Sequence, residues 1–134
     1  MTSIYGFTGT RSGLNDIQKD KIIKLLKEDI QNGKKIEIHH GDCIGADTDF
    51  HNICKNLTNI KIIIHPPSNN TMRSFCESEN ICKPKSYLVR NKDIVDKSDV
   101  LIACPFNNIE QLRSGTWATI RYAKQTNKPI LLFV

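Results

Sequence analysis

D-V-L-I-A-C (Asp99 to Cys104), S-G-T-W-A-T-I-R-Y-A-K-Q-T (Ser114 to Thr126) and P-I-L-L-F-V (Pro129 to Val134) follow one another in the last third of the sequence, and their order decides the fold. The first and third stretches are continuous apolar runs of strand length, as expected of strands covered on both faces. The second carries Trp117, Ile120 and Ala123 at turn spacing, the mark of a helix with one buried face. Two doubly covered strands joined by a helix read as a parallel pair with a right-handed crossover.

The same alternation extends back to the N-terminus. Ser3 to Thr8 reads as a strand that runs into glycine-rich sequence. Asn15 or Asp16 caps a helix to about Asn32, with Ile22, Leu26 and Ile30 on one stripe, and Asn32-Gly33 ends it. Lys35 to His40 is a second strand, Ala46 to Asn56 a helix, and Ile60 to His65 a third strand closed by Pro66-Pro67. From Pro66 to about Tyr87 the periodicity is lost, with a short helix expected around Met72 to Glu79. A further short helix is expected from Arg90 to Lys97. The reading is an α/β fold: a single doubly wound, Rossmann-like parallel sheet of about five strands in the order 3-2-1-4-5. The first and fourth strands are adjacent at its centre.

The 134 residues make one domain, 1–134. With 39% apolar and 25% charged residues the chain is globular rather than disordered. The net charge of +5 favours anionic partners, but the lysines are scattered among acids. No basic stripe of the kind that tracks a nucleic acid is present, which counts against a nucleic-acid partner. No apolar run approaches the ~20 residues that span a bilayer, and Met1 to Ser12 lacks the pattern of a secretory signal, so neither a membrane partner nor secretion is expected. Five cysteines, an odd number without a C-x-x-C pair, read as reduced thiols of a cytoplasmic protein. Cys76, Cys82 and His65 fit no common zinc spacing, so no metal is expected, and no motif asks for a resident cofactor.

Ligands of such sheets bind outside the carboxyl ends of the strands, where the strand order reverses. The glycine-rich and polar residues concentrate there: Thr8-Gly9-Thr10-Arg11-Ser12 after the first strand, and Gly41-Asp42 with Gly45 and Asp47 after the second. Arg90-Asn91 stands before the fourth strand, and Arg113 with Ser114-Gly115-Thr116 follows it. The amino ends carry ordinary turns. Glycine or hydroxyl residues that lead into a helix start present free N–H groups and the positive end of the dipole, a setting for phosphate. Arg11, Arg90 and Arg113 add charge-assisted donors. Asp47 lies one turn from His51 on the same helix face, and its plainer role is to complement the helix dipole. Of the adjacent His39 and His40, His40 is expected to see ligand and His39 to pack under a helix.

G-F-T-G-T-R-S (Gly6 to Ser12), H-G-D-C-I-G-A-D (His40 to Asp47), R-N-K-D-I-V (Arg90 to Val95) and S-G-T-W-A-T-I-R-Y-A (Ser114 to Ala123) together resemble the SLOG superfamily. These are the Rossmannoid nucleotide-binding relatives of the DNA-processing protein DprA, the molybdenum-cofactor carrier and the LOG phosphoribohydrolases. The likeness is to the small stand-alone YspA type and covers the whole chain. It implies a binding module for a nucleotide, or an NAD-derived or cyclic nucleotide, acting as sensor, carrier or sequestering protein. It also implies a homodimer, as in many relatives. Two alternatives follow from the same resemblance: a nucleotide N-glycosidic hydrolase, with Asp47 and Arg90 as catalytic candidates, and a DprA-like DNA-associated protein.

The hydrolase alternative meets a substitution. LOG enzymes carry G-G-x-G-T-x-x-E with an upstream arginine. Gly115-Thr116 match the G-T and Arg90 the arginine, but Thr119 stands where the glutamate belongs. A threonine cannot supply the carboxylate that glycosidic cleavage needs beside the anomeric carbon. The chain is therefore expected to release little free base from nucleoside monophosphates, and Thr119→Glu to restore weak activity only if residue 119 occupies the lost acid's place and the rest of the site survives. Chromatography of the incubated nucleotides checks both. Robust release by the natural chain, lost in Asp47→Asn, would reverse the expectation.

Overall fold

The computed structural model describes residues 1–134. Six strands alternate with helices: β1 (Thr2–Gly9), α1 (Asp16–Gln31), β2 (Lys35–His40), α2 (Ala46–Lys55) and β3 (Ile60–Ile64) form the first half. β4 (Asn80–Ile81), α3 (Tyr87–Asp96), β5 (Val100–Cys104), α4 (Gly115–Gln125) and β6 (Ile130–Leu132) form the second. All strand pairs are parallel and the order is β4-β3-β2-β1-β5-β6. The expected order of the five main strands holds, with β1 beside β5 at the centre. The sixth strand, β4, is an addition at the edge.

Strand alternation sorts the core into two layers. Tyr5, Phe7, Ile36, Ile38 and Ile102 point to the face covered by α1 and α2, against Ile22, Leu26 and Phe50. Phe7 and Phe50 stack with ring centroids 4.1 Å apart and planes within 5°. Leu101 and Ala103 point to the other face, under Val95 of α3 and Trp117, Ile120 and Ala123 of α4. β5 is thus apolar on both sides because helices lie on both.

Local chemistry sets the helix ends. Asn15 caps α1 in a reciprocal box: its Oδ1 accepts from the Gln18 amide at 2.7 Å, and Gln18 Oε1 accepts from the Asn15 amide at 3.0 Å. The buried Gln18 amide group donates to the carbonyls of Pro105 and Phe133, both at 2.9 Å, and so ties α1 to the segments after β5 and β6. Ser114 caps α4 through the Trp117 amide at 3.2 Å.

Two expectations are corrected. No helix forms between Met72 and Glu79; a 3-10 turn at Asn70–Met72 precedes irregular chain in which Phe75 takes the left-handed region (φ 58°). The reason is Asp42, whose carbonyl accepts from the Ser74 amide at 2.8 Å and whose carboxylate accepts from the Cys76 amide at 2.9 Å. Amides bound to another segment cannot build an i to i−4 ladder. The second correction concerns α3, which begins at Tyr87 and not at Arg90. Arg90 therefore sits in the second turn, on the buried side, instead of at an open helix start.

Candidate functional site

A crevice of about 510 Å³ opens at the carboxyl edge of the sheet, over the ends of β1 and β5. The strand order reverses there, because β1 leads to β2 on one side and pairs with β5 on the other. Thr8, Gly9, Thr10 and Arg11 line it from the end of β1, and Gly41 and Asp47 from the segment after β2. Arg90 and Asn91 line it from α3, and Arg113, Ser114, Gly115 and Thr116 from the start of α4.

Three other residues of the expected set lie elsewhere. Ser12 turns outward, its amide on Thr10 Oγ1 at 3.3 Å. Asp42 is fully buried in the left-handed region (φ 57°), where its carboxylate accepts from Arg73 Nε at 2.9 Å. It holds the 73–76 segment and does not face the crevice. Gly45 (φ 108°) sits where an added Cβ would collide with the Arg11 carbonyl, so it lets the turn after β1 lie against the start of α2. Cys43, Tyr87, Phe106 and Trp117 also line the crevice and escaped the sequence reading. The strand-end rule reaches Cys43 and Phe106 once every residue after β2 and β5 is counted. Tyr87 needed the true start of α3.

Arg90 forms the floor. It is 4% exposed, and its Nη1 donates to the carbonyls of Gly41 and, at 3.1 Å, of His65. Nε donates to Asn91 Oδ1 at 2.8 Å, and Nη2 faces Cys43 Sγ at 3.5 Å. An added Cβ at Gly41 would lie 2.5 Å from Nη1, so only glycine admits the guanidinium here. Asp47 is the one carboxylate that lines the crevice. It accepts from the Cys43 amide at 3.1 Å and is 8% exposed. Burial raises its carboxyl to about 6, against the opposing pull of Arg90.

All four histidines are buried in two pairs on opposite faces of β2. His40 Nδ1 accepts from the Asp42 amide at 3.0 Å, so its Nε2 carries the proton and donates to His51 Nδ1 at 2.9 Å. On the other face His65 Nε2 and His39 Nδ1 are 2.8 Å apart, and His39 Nε2 meets Glu37 at 2.8 Å. Burial lowers His40 to about 3 and His65 to about 4, and lowers His39 and His51 as well. The expectation for His40 is corrected: it is wholly buried and does not line the crevice. Cys76 lies beside His40 and His51, with donor atoms all within 4.8 Å, and not with Cys82 and His65. This trio does not suit a metal. One nitrogen of His40 already accepts an amide proton and the other carries its own, so His40 has no lone pair to offer.

Thr119 donates its hydroxyl to the Gly115 carbonyl at 2.9 Å, is 2% exposed and does not line the crevice. No loop glutamate lines it either. At the start of α4, Ser114 occupies the Trp117 amide, whereas the amides of Gly115 and Thr116 have no acceptor within the protein. Nothing lies within 4 Å of a Cβ added at Gly115.

The titrating groups set a pH profile. An acid raised from 3.8 to about 6 keeps its proton in the folded state after the unfolded chain has lost it, so stability falls as pH rises across that window. Ionised Asp47 then costs roughly 3 kcal/mol at pH 8. The lowered histidines act oppositely: the unfolded chain takes up protons below about pH 6.5 that the folded chain refuses. His40 and His65 each remove about 2 kcal/mol of stability by pH 5. Asp47→Asn is expected to be more stable than the natural chain by roughly 2–3 kcal/mol at pH 8 and equal to it near pH 4, where the histidine contribution cancels. Urea denaturation of both chains at five pH values checks this. A gain independent of pH would contradict it.

No protein-family model and no curated protein matches the chain. Solved structures do. The molybdenum cofactor binding protein of the phototrophic bacterium Rippkaea orientalis superposes with a TM-score of 0.72 over 98% of this chain and 76% of its own, at 21% identity. The molybdenum cofactor carrier protein of Chlamydomonas reinhardtii gives 0.66 over 98% and 76%, at 18% identity. DNA processing protein A of Helicobacter pylori, a single-stranded DNA-binding protein, gives 0.60 over 97% of this chain, at 23% identity. This chain spans only 64% of that protein's length. The likeness is one of fold: the same open parallel sheet recurs in small-molecule carriers and in a DNA-binding protein.

Proposed function

We propose that this chain is a SLOG-type binding module whose crevice takes a nucleotide, or an NAD-derived or cyclic nucleotide, and that it acts as a sensor, carrier or sequestering protein. The observation that carries the reading is the start of α4. Two unsatisfied amides, Gly115 and Thr116, sit at the positive end of an eleven-residue helix and border a crevice with three arginines and one carboxylate. An anion with several acceptor oxygens fits that chemistry. Tyr87, Phe106 and Trp117 line the same crevice and offer aromatic surface to a base or pterin-like ring. The structural neighbours bind or carry a molybdenum cofactor or bind single-stranded DNA, which supports a ligand-binding role for this crevice.

Binding without turnover fits the donor set. The side chain at the position of the LOG glutamate is a buried threonine that bonds its own helix backbone, and Asp47 is tied to the Cys43 amide.

Titration calorimetry with nucleoside mono- and diphosphates, ADP-ribose and NAD tests the proposal. Gly115→Val is expected to weaken binding at least tenfold without lowering Tm, because the new side chain projects into open space before the free amides. Arg90→Ala is expected to lose stability by roughly 2 kcal/mol or more, since two backbone carbonyls lose their donor. Unchanged affinity in Gly115→Val would place the site elsewhere. A salt-sensitive gel shift with single-stranded DNA, in place of nucleotide binding, would favour the DNA-associated alternative.

A further inference from the structure

The five arginines divide into two groups. Arg73 pairs with Asp42 at 2.9 Å, Arg121 pairs with Glu110 at 2.8 Å, and Arg90 is engaged by backbone carbonyls. Arg11 and Arg113 have neither an ion pair nor a side-chain hydrogen bond to the protein, and both are exposed. Both line the crevice. A surface chosen at random does not place its only two unengaged guanidinium groups around one cavity.

Their positions in the fold differ in a way that bears on the ligand. Arg11 belongs to the α2 wall: the neighbouring Thr10 carbonyl accepts from the Ala46 amide at 3.0 Å, and Gly45 packs on the Arg11 carbonyl. Arg113 belongs to the α4 wall, directly before the Ser114 cap. α2 and α4 lie on opposite faces of the sheet, so the two cations flank the crevice from its two sides. Their backbones are fixed and their side chains are free.

Resting on the anion-binding reading above, we infer that the crevice selects ligands with two linked phosphoryl groups, nucleoside diphosphates or pyrophosphate-bridged dinucleotides, over monophosphates, and that Arg11 is the residue that makes the distinction. One phosphoryl group sits on the Gly115 and Thr116 amides with Arg113 beside it. The second reaches across β1 toward Arg11. A phosphate monoester carries about −1.5 to −2 at pH 7, and a further phosphoryl group adds charge that a lone anion at α4 leaves unmatched on the α2 wall. Three guanidinium groups against one carboxylate also leave the crevice with more positive charge than one phosphate needs.

The test uses four probes at pH 7.5 and constant ionic strength: inorganic phosphate, inorganic pyrophosphate, AMP and ADP. Calorimetry is run on the natural chain, Arg11→Gln and Arg113→Gln, with thermal melts alongside; both arginines are exposed and unengaged, so both variants are expected to melt with the natural chain. ADP is expected to bind roughly ten- to a hundredfold more tightly than AMP, the effect of one charge-assisted contact. Arg11→Gln is expected to weaken ADP binding roughly ten- to a hundredfold, to the AMP level, with a much smaller loss for AMP. Arg113→Gln is expected to weaken both. Equal affinity for AMP and ADP, or an equal loss of both in Arg11→Gln, overturns the inference and leaves the nucleotide reading standing. Pyrophosphate preferred over phosphate, with that preference lost in Arg11→Gln but no gain from the nucleoside, upholds the inference and overturns the nucleotide reading. Failure of all four probes overturns the inference, and failure of ADP-ribose and NAD as well overturns the nucleotide reading.

Discussion

A single guanidinium organises the carboxyl edge of this sheet. Arg90 reaches from the second turn of α3 to the carbonyls that follow β2 and β3, and so fixes three separate segments with one planar group. The fork geometry matters. A lysine ammonium could still donate to the two carbonyls, but it has no plane to lay against Gly41 and Tyr87. Because Arg90 is spent on the backbone, it contributes a fixed positive field to the floor of the crevice while Arg11 and Arg113 remain available above it. Glycine at 41 is the sequence condition for this arrangement on the β2 side, and the carbonyl of the buried His65 is the second anchor on the β3 side.

Burial governs the ionisable groups around that floor. Asp47 is raised to about 6 by desolvation against the pull of Arg90, and four histidines are held neutral in pairs. The two sets pull stability in opposite directions with pH. A carboxyl group that destabilises the fold when ionised, in the wall of the crevice, is the kind of local cost found where binding rather than stability sets the residue.

Much of the architecture was legible because it follows from repeating patterns. The apolar run at Val100–Cys104 could only be a doubly covered strand, and the stripe of Ile22 and Leu26 could only face a core. Ile130–Leu132 is a strand as well, but at the sheet edge it is only half-buried, with Leu132 exposed, so its apolar run overstated its cover. The crevice residues on β1 and α4 were legible for a related reason: the parallel topology dictates which strand ends meet. The misses share one cause. The 66–86 segment, the burial of Arg90 and the fate of His40 are all set by polar bonds to partners distant in sequence. Asp42 reaches Ser74 and Cys76, Arg90 reaches Gly41 and His65, and His40 reaches His51. Periodicity carries no record of such pairings, and Asp42 reads as a site residue until its partners are seen.

The β1–β5 pairing carries one more implication, for the order of events as the chain folds. Gly9 and Cys104 are neighbours in the sheet although most of the sequence separates them, and the crevice lies over that junction. β1, β2 and β3 can assemble from nearer neighbours in the chain. The junction with β5 requires closure of the longest loop between paired strands, a step that topology makes slow. Until it closes, the turn at Thr8–Arg11 and the start of α4 are not opposed, and no cavity exists between them. The crevice therefore belongs only to the finished sheet, and any molecule bound there would stabilise that state over every partly assembled one.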